Sequence, residues 1–248
     1  MLHQFSRTEL AIGPEGLEIM KNSTVAVLGI GGVGSIAAEA LARTGIGRLI
    51  LIDKDVVDIT NVNRQIHALT TTVGQPKTEL MKDRIKLINP ECDGITLQMF
   101  YTEETYEKLF AYDLDYVLDA SDTISYKIHL IKQCLARKIP VISCMGAANK
   151  MDPTKFQIAD ISKTAMDPIA RVIRQKLRKE GIHKGVKVVF STEEPIKPRQ
   201  DVTQKIVPEN APEIRKAKQP PASNAFVPPV AGLIMVSAAV RDLIKSLT

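Results

Sequence analysis

Val25-Ala26-Val27-Leu28 runs directly into Gly29-Ile30-Gly31-Gly32-Val33-Gly34, and an alanine-rich stretch from Ile36 to Arg43 follows, stopped by Gly45. A short β-branched apolar run is what a buried parallel strand requires. A G-x-G-x-x-G turn between a strand and a helix lets the backbone approach an anion. The helix N-terminus meets that anion with free N–H groups and the positive end of its dipole. Arg48-Leu49-Ile50-Leu51-Ile52 then supplies a second strand ending at Asp53, 19 residues beyond Gly34. A carboxylate there can accept from ribose hydroxyls. This βαβ unit makes Gly29, Gly31, Gly32, Gly34 and Asp53 a nucleotide site, and leaves open which nucleotide it takes.

The rest of the chain continues the alternation. Met81, Ile85 and Ile88 keep helical spacing, and Tyr116-Val117-Leu118 is strand-like and runs into Asp119. Ile124, Ile128, Ile131 and Leu135 mark an amphipathic helix before a strand at Pro140-Val141-Ile142-Ser143. The class is therefore α/β: a Rossmann-like, doubly wound, mostly parallel sheet with a C-terminal α/β extension. We read one domain over 1–248, its nucleotide-binding core at about 20–150. Beyond it, Asp167-Pro168 is an N-cap with proline at the first helical position, and Gly181 is a stop. Val186 to Phe190 is strand-like. Residues 191–224 hold six of the 14 prolines and read as a long loop, and Leu233, Val236, Val240, Leu243 and Leu247 mark a final amphipathic helix.

Charge and cysteine usage narrow the partners. The net charge of +5 is uneven: residues 163–218 carry +7 and the remainder −2. A near-neutral body with one basic region suits a polyanionic partner. On a helix starting at Asp167, Arg171, Arg174 and Arg178 share one face, which makes them candidate phosphate-backbone contacts. Three cysteines without a C-x-x-C exclude a disulfide framework and a four-cysteine zinc site, so no zinc is expected. The N-terminus has no apolar signal segment. The charge-free run from Gln219 to Val240 is broken by four prolines, so no membrane span is expected and a cytoplasmic location is the default.

A second set of motifs speaks to the nucleotide. Asp53-Lys54-Asp55 is followed by Asn61-Val62-Asn63-Arg64-Gln65, then Gly74-Gln75-Pro76-Lys77, then Asp119-Ala120-Ser121-Asp122. With the glycine loop, these resemble the ubiquitin-activating-enzyme-like superfamily, which adenylates carboxylates with MgATP. The resemblance implies ATP and Mg²⁺ as cofactors. It implies phosphate or metal-shell contacts from Asp55, Asn61, Arg64, Gln65 and Lys77, and a Mg²⁺ anchor at Asp122. Chemistry agrees. A carboxylate attacking the α-phosphorus needs no general base, but it needs charge neutralisation and in-line positioning. Arg64 offers a fork of donors, Lys77 a point charge, and Asp122 a hard oxygen ligand. The resemblance also implies a homodimer in which Arg7 reaches into the partner's site.

The C-terminal half refines this. Ala159 to Thr164, the basic helix, Phe190-Ser191-Thr192-Glu193 and Phe226-Val227-Pro228-Pro229 are similar to the tRNA threonylcarbamoyladenosine dehydratase family. That likeness implies a tRNA carrying N6-threonylcarbamoyladenosine as partner, and leaves room for sulfur-transfer accessory proteins. It implies adenylation of the threonyl carboxylate followed by ring closure through the side chain's own carbamoyl group. No enzyme thiol is then needed, and Cys144 has little claim to catalysis. Three rivals stand beside it. They are an adenylyltransferase for a sulfur-carrier protein's C-terminus, an NAD-dependent dehydrogenase, and a nucleotide-sensing scaffold.

Overall fold

The computed structural model describes residues 2–202 and 221–247. The chain opens with helix α1 (Ser6–Asn22), which turns back on itself at Gly13-Pro14. Then β1 (Thr24–Leu28), α2 (Gly34–Arg43), β2 (Arg48–Ile52), α3 (Lys77–Ile88) and β3 (Asp93–Leu97) follow. After them come α4 (Glu107–Phe110), β4 (Tyr116–Asp119), α5 (Ile124–Ala136) and β5 (Val141–Cys144). The C-terminal part adds β6 (Phe156–Asp160), α6 (Pro168–Lys179), β7 (Lys187–Ser191) and a last helix, α7 (Val227–Leu243).

Seven strands form one sheet in the order β3-β2-β1-β4-β5-β7-β6. All neighbours pair parallel except β6 and β7, which are antiparallel. The doubly wound sheet with a C-terminal extension is thus as expected, the extension being the β6–β7 edge. Both faces of the sheet are covered, which explains why β1 is buried at every position. Val25, Val27, Leu49, Leu51 and Leu118 point into one core with α2 and α7. Ala26, Leu28, Ile50, Ile52 and Val117 fill the other face, with Leu130 and Cys134 of α5. A third cluster joins Ile173 and Leu177 of α6 to Val188 and Phe190 of β7.

Several local details depart from the sequence reading. α1 and β3 lack the periodicity that flags an element: α1 is mostly exposed, and β3 is an edge strand with no fully buried position. Leu233 and Leu247, assigned to the buried face of the last helix, are about half exposed. α7 instead seats its small residues, Ala231, Gly232, Ala238 and Ala239, against the body. At Gly232 the approach is so close that a Cβ would lie 2.3 Å from the Val33 carbonyl oxygen and 2.6 Å from Ile36 Cγ2. A helix that is apolar almost all round packs by closeness rather than by one greasy stripe. The loop read over 191–224 is described at 191–202 and 221–224, and the stretch between lies outside the described residues.

Gly232→Ala should therefore cost about 1–3 kcal/mol of stability, lowering the melting temperature by several degrees. Because the clash is with the residue preceding α2, nucleotide affinity should fall along with it. Thermal unfolding and equilibrium nucleotide titration check both.

Candidate nucleotide site

The chain crosses from β1 outward to β2 and β3, then returns to β4 on the other side of β1. That reversal opens a crevice at the carboxyl ends of β1 and β4, where ligands bind doubly wound sheets. Gly29 donates to Ile52 O at 2.8 Å and Ala120 donates to Leu28 O at 2.8 Å, fastening the glycine loop between both neighbouring strands. Gly34 closes the loop: a Cβ there would stand 1.8 Å from Gly29 O, so this glycine serves the fold of the turn as much as any ligand. Val33, the N-cap of α2, makes no side-chain cap. A helix leaves its first N–H groups without intrahelical partners, so this terminus presents donors to an anion.

Asp53 holds the loop from the other side, accepting from Ile30 N–H at 2.7 Å and Asp55 N–H at 2.9 Å. Each oxygen keeps acceptor capacity, so ribose binding remains open to it. Arg64 lies across the loop, with its Cγ and Cδ 3.3 Å from where a Gly32 Cβ would be. It donates to Thr60 O at 2.9 Å and Asn63 Oδ1 at 2.8 Å. Gln65 is buried with its Nε2 4.0 Å from a Gly31 Cβ position, and its Oε1 has no hydrogen-bond partner among the described residues. Lys77 begins α3 and is buried, its Nζ 3.5 Å from Asp55 Oδ2. Asp55 is shared with Lys54 at 2.5 Å. Burial raises the Asp55 carboxyl, but the Lys54 and Lys77 ammoniums outweigh this and hold it below the usual carboxylate range. A buried ammonium with only a shared counter-ion is left with charge that its surroundings do not fully compensate.

Asn61 is buried, and its Oδ1 accepts from Asp58 N–H at 3.1 Å in a capping box. Its carbonyl is committed to the turn, which leaves the NH₂ for a phosphate. Asp122 is exposed on the β4–α5 turn, accepting from the Thr123 hydroxyl at 3.2 Å. The same turn touches Gly29, for Ala120 O and Ser121 Cα would lie within 3.0 Å of a Cβ there. Among the described residues no three His, Cys, Asp or Glu side chains gather as a metal cage. One carboxylate beside a phosphate cradle is the arrangement Mg²⁺ uses when substrate oxygens and water supply its other ligands.

Other expectations are redistributed. Arg7 is exposed on α1, two residues from Phe5, which is buried against Gly45 just past the C-terminal end of α2. The glycine loop is at the opposite end of that helix, about 15 Å away, so the chain does not bring Arg7 to its own site. Arg171 and Arg178 are exposed, whereas Arg174 is half-buried and donates to Thr164 O at 2.8 Å and to the Thr164 hydroxyl. The expected row of three solvent-facing guanidiniums is reduced to two, because Arg174 pins α6 to the preceding turn. All three cysteines are buried, and burial pushes their thiols up, to about 11 for Cys92 and about 12 for Cys134 and Cys144. None is a ready nucleophile.

Sequence reasoning missed His67. It is buried, and neither ring nitrogen has a hydrogen-bond partner among the described residues. Burial, then the charges of Lys77 and Arg84, push its pKa down to about 4. No spacing marks it; only the fold shows that it lies behind Lys77. Two buried ion pairs were missed as well: Lys127 with Asp119 at 3.0 Å, and Lys150 with Asp167 at 3.9 Å.

A match to the ThiF family covers residues 5–248. The chain belongs to that family. It is 71% identical over 247 residues to the tRNA threonylcarbamoyladenosine dehydratase of Bacillus subtilis, covering 100% of this chain and 97% of that protein. The crystal structure of the Escherichia coli tRNA N6-threonylcarbamoyladenosine dehydratase in complex with ATP superposes with a TM-score of 0.86 at 36% identity, covering 98% of this chain and 95% of that one. The molybdopterin-synthase adenylyltransferase of Escherichia coli is more distant, 36% identical over 138 residues, or 56% of this chain and 54% of that protein.

The His67 environment has a stability consequence with a definite sign. Its folded-state pKa is below the ordinary 6.5, so the unfolded chain binds the extra proton between about pH 6.5 and 4. Stability should fall as pH drops through that window, by up to roughly 3 kcal/mol from this residue. Denaturant unfolding of wild type and His67→Leu from pH 7 to 4.5 should show a flatter decline in the variant.

Proposed function

We propose that this chain is an ATP-dependent tRNA threonylcarbamoyladenosine dehydratase. The observation that carries the reading is the cationic cradle: Arg64 across Gly32 and Lys77 buried beside Asp55, at a helix N-terminus that lacks its own cap. The 71% identity with a dehydratase over the full chain supports the substrate.

The chemistry follows from charge. A carboxylate oxygen of the threonyl group attacks the α-phosphorus of ATP, and the bond to pyrophosphate breaks. Negative charge accumulates on the phosphoryl oxygens, where Arg64 and the α2 N–H groups sit, and on the leaving pyrophosphate, which Lys77 neutralises. Mg²⁺ held through Asp122 would supply Lewis acidity on the phosphates. The carbamoyl group of the same side chain then attacks the activated carbonyl and AMP leaves, a net loss of water from the nucleoside. Because the attack is intramolecular, its effective concentration is high and no thioester is required. The buried thiols are consistent with this route.

The remaining parts of the reading are the partner surfaces. Arg171 and Arg178 hold tRNA phosphates, and Arg7 is supplied across a homodimer to the other copy's site. A cytoplasmic protein suits a tRNA substrate. No helix among the described residues is long and apolar enough to cross a membrane.

Nucleoside mass spectrometry of tRNA treated with protein and MgATP tests the reaction, through loss of one water from the threonylcarbamoyl nucleoside. In that assay Arg64→Ala and Lys77→Ala should each reduce turnover at least about 100-fold, the scale of losing a transition-state donor. Near-normal rates in both folded variants would refute the site.

The tRNA surface has a separate signature. The double change Arg171→Gln, Arg178→Gln should weaken tRNA binding and lower the slope of log K against log salt by about two. ATP affinity should stay the same, since both residues are on α6 and not at the glycine loop. An unchanged salt slope would mean a merely solvated basic face.

A further inference from the structure

Phe226 is 43% exposed at the start of α7, although α7 is otherwise one of the most buried helices of the chain. Its position is determined from both sides. Three residues earlier, Ser223 O accepts from Asn63 Nδ2 at 3.1 Å, and Asn63 Oδ1 in turn accepts from Arg64. Two residues later, Pro228 Cβ lies 3.0 Å from the place a Gly32 Cβ would take. Both flanks of the ring are therefore fastened to the nucleotide loops. The turn itself is pinned: Asn224 Oδ1 accepts from Phe226 N–H at 3.2 Å and Val227 N–H at 2.8 Å, while its Nδ2 donates to Lys150 O at 2.8 Å. Met151, exposed on the other side of Asn224, places its sulfur 3.6 Å from the same amide. The other exposed phenylalanine among the described residues, Phe100, is covered by the Lys54 ammonium 4.4 Å from its ring centre. Among the described residues no cation lies over the Phe226 ring, which is 43% exposed.

We propose that the Phe226 ring is the stacking platform for the purine of the substrate nucleoside, set beside the phosphate cradle on a pre-fastened turn. The proposal rests on the dehydratase reading above and names the residue that receives the base. The threonylcarbamoyl arm on N6 is short, so a carboxylate at the α-phosphorus obliges its base to rest at the rim of the same crevice. Phe226 occupies that rim, between the Asn63–Ser223 and Gly32–Pro228 contacts. Proteins hold unpaired RNA bases by stacking them on aromatic side chains, and a rigid ring with few rotamers gives that contact at low entropic cost.

The chain contains no tryptophan, so Phe226→Trp installs a single tryptophan at the platform, excited apart from the tyrosines at the red edge of the absorption band. The probe is an RNA stem-loop carrying N6-threonylcarbamoyladenosine, with an abasic stem-loop at the same position as its control. Binding of each is followed independently by anisotropy of a label on the RNA. Saturation with the modified stem-loop should quench the tryptophan, saturation with the abasic one should not, and Leu87→Trp on the exposed face of α3 should be quenched by neither. In the dehydration assay, Phe226→Ala should raise KM for the RNA about tenfold with KM for ATP within twofold, and Phe226→Tyr should restore it. Bound RNA with unaltered emission, or equal quenching by the abasic stem-loop, overturns the platform while leaving the dehydratase reading intact. Failure of the wild-type protein to bind or convert the modified RNA overturns both.

Discussion

The backbone-to-backbone approach inside the glycine loop is the constraint on which the rest depends. Gly34 begins α2 with no room for a side chain against Gly29 O, and Gly232 of α7 meets the residue just before α2 with equally little room. Two helices and a strand thus converge on one turn. Glu39 on α2 bonds both Arg43 and Arg84, so it ties α3 to the same helix. Lys77, the first residue of α3, is thereby positioned relative to the glycine loop at the start of α2. The site is rigid because its parts share the elements that carry the core.

Buried cations show the same economy from the electrostatic side. Lys127 is held by Asp119 at 3.0 Å, with Ser143 also bonded to Asp119 at 2.6 Å, so that charge is closed within the protein. Lys77 is different, with one ion-pair partner among the described residues, Asp55 at 3.5 Å, which Lys54 shares at 2.5 Å. A charge so placed is costly until an anion arrives. The difference separates a cation whose charge is closed within the sheet from one whose charge is only partly met. Residue type cannot make that distinction, and neither can burial.

This explains what could be read from the chain in advance. The βαβ unit with its glycine turn, the parallel sheet and the Asp167 cap were legible because each is a local pattern: a periodicity, a turn chemistry, a motif spacing. α1 and β3 were not, since one lies mostly on the surface and the other at a sheet edge, where hydrophobic pattern fades. Leu233 was misplaced because periodicity counts apolar residues and cannot weigh how closely a glycine lets two helices approach. Arg174 was assigned to solvent on helical phase alone, whereas Thr164, ten residues earlier in the chain, recruits it. His67 and the two buried ion pairs depend on distant neighbours and leave no local trace.

The segment leading into α7 shows how the C-terminal part of the chain is joined to the glycine loop. Asn149, with a left-handed φ of 59°, accepts at its carbonyl from Ile196 N–H at 2.8 Å. It also donates to Ala222 O at 2.8 Å and accepts from Ala222 N–H at 2.7 Å. Ile196 and Ala222, on either side of the undescribed stretch, are therefore fastened to one residue. From Ala222 the chain passes at once to Ser223, which Asn63 holds, and on to Pro228 against Gly32. Asn63 also positions Arg64. Any movement of this returning segment is thus felt by the guanidinium over the phosphate loop through a single amide. If RNA engages this segment as proposed, its coupling to the glycine loop needs no distant pathway, because the segment and Arg64 share the Asn63 side chain.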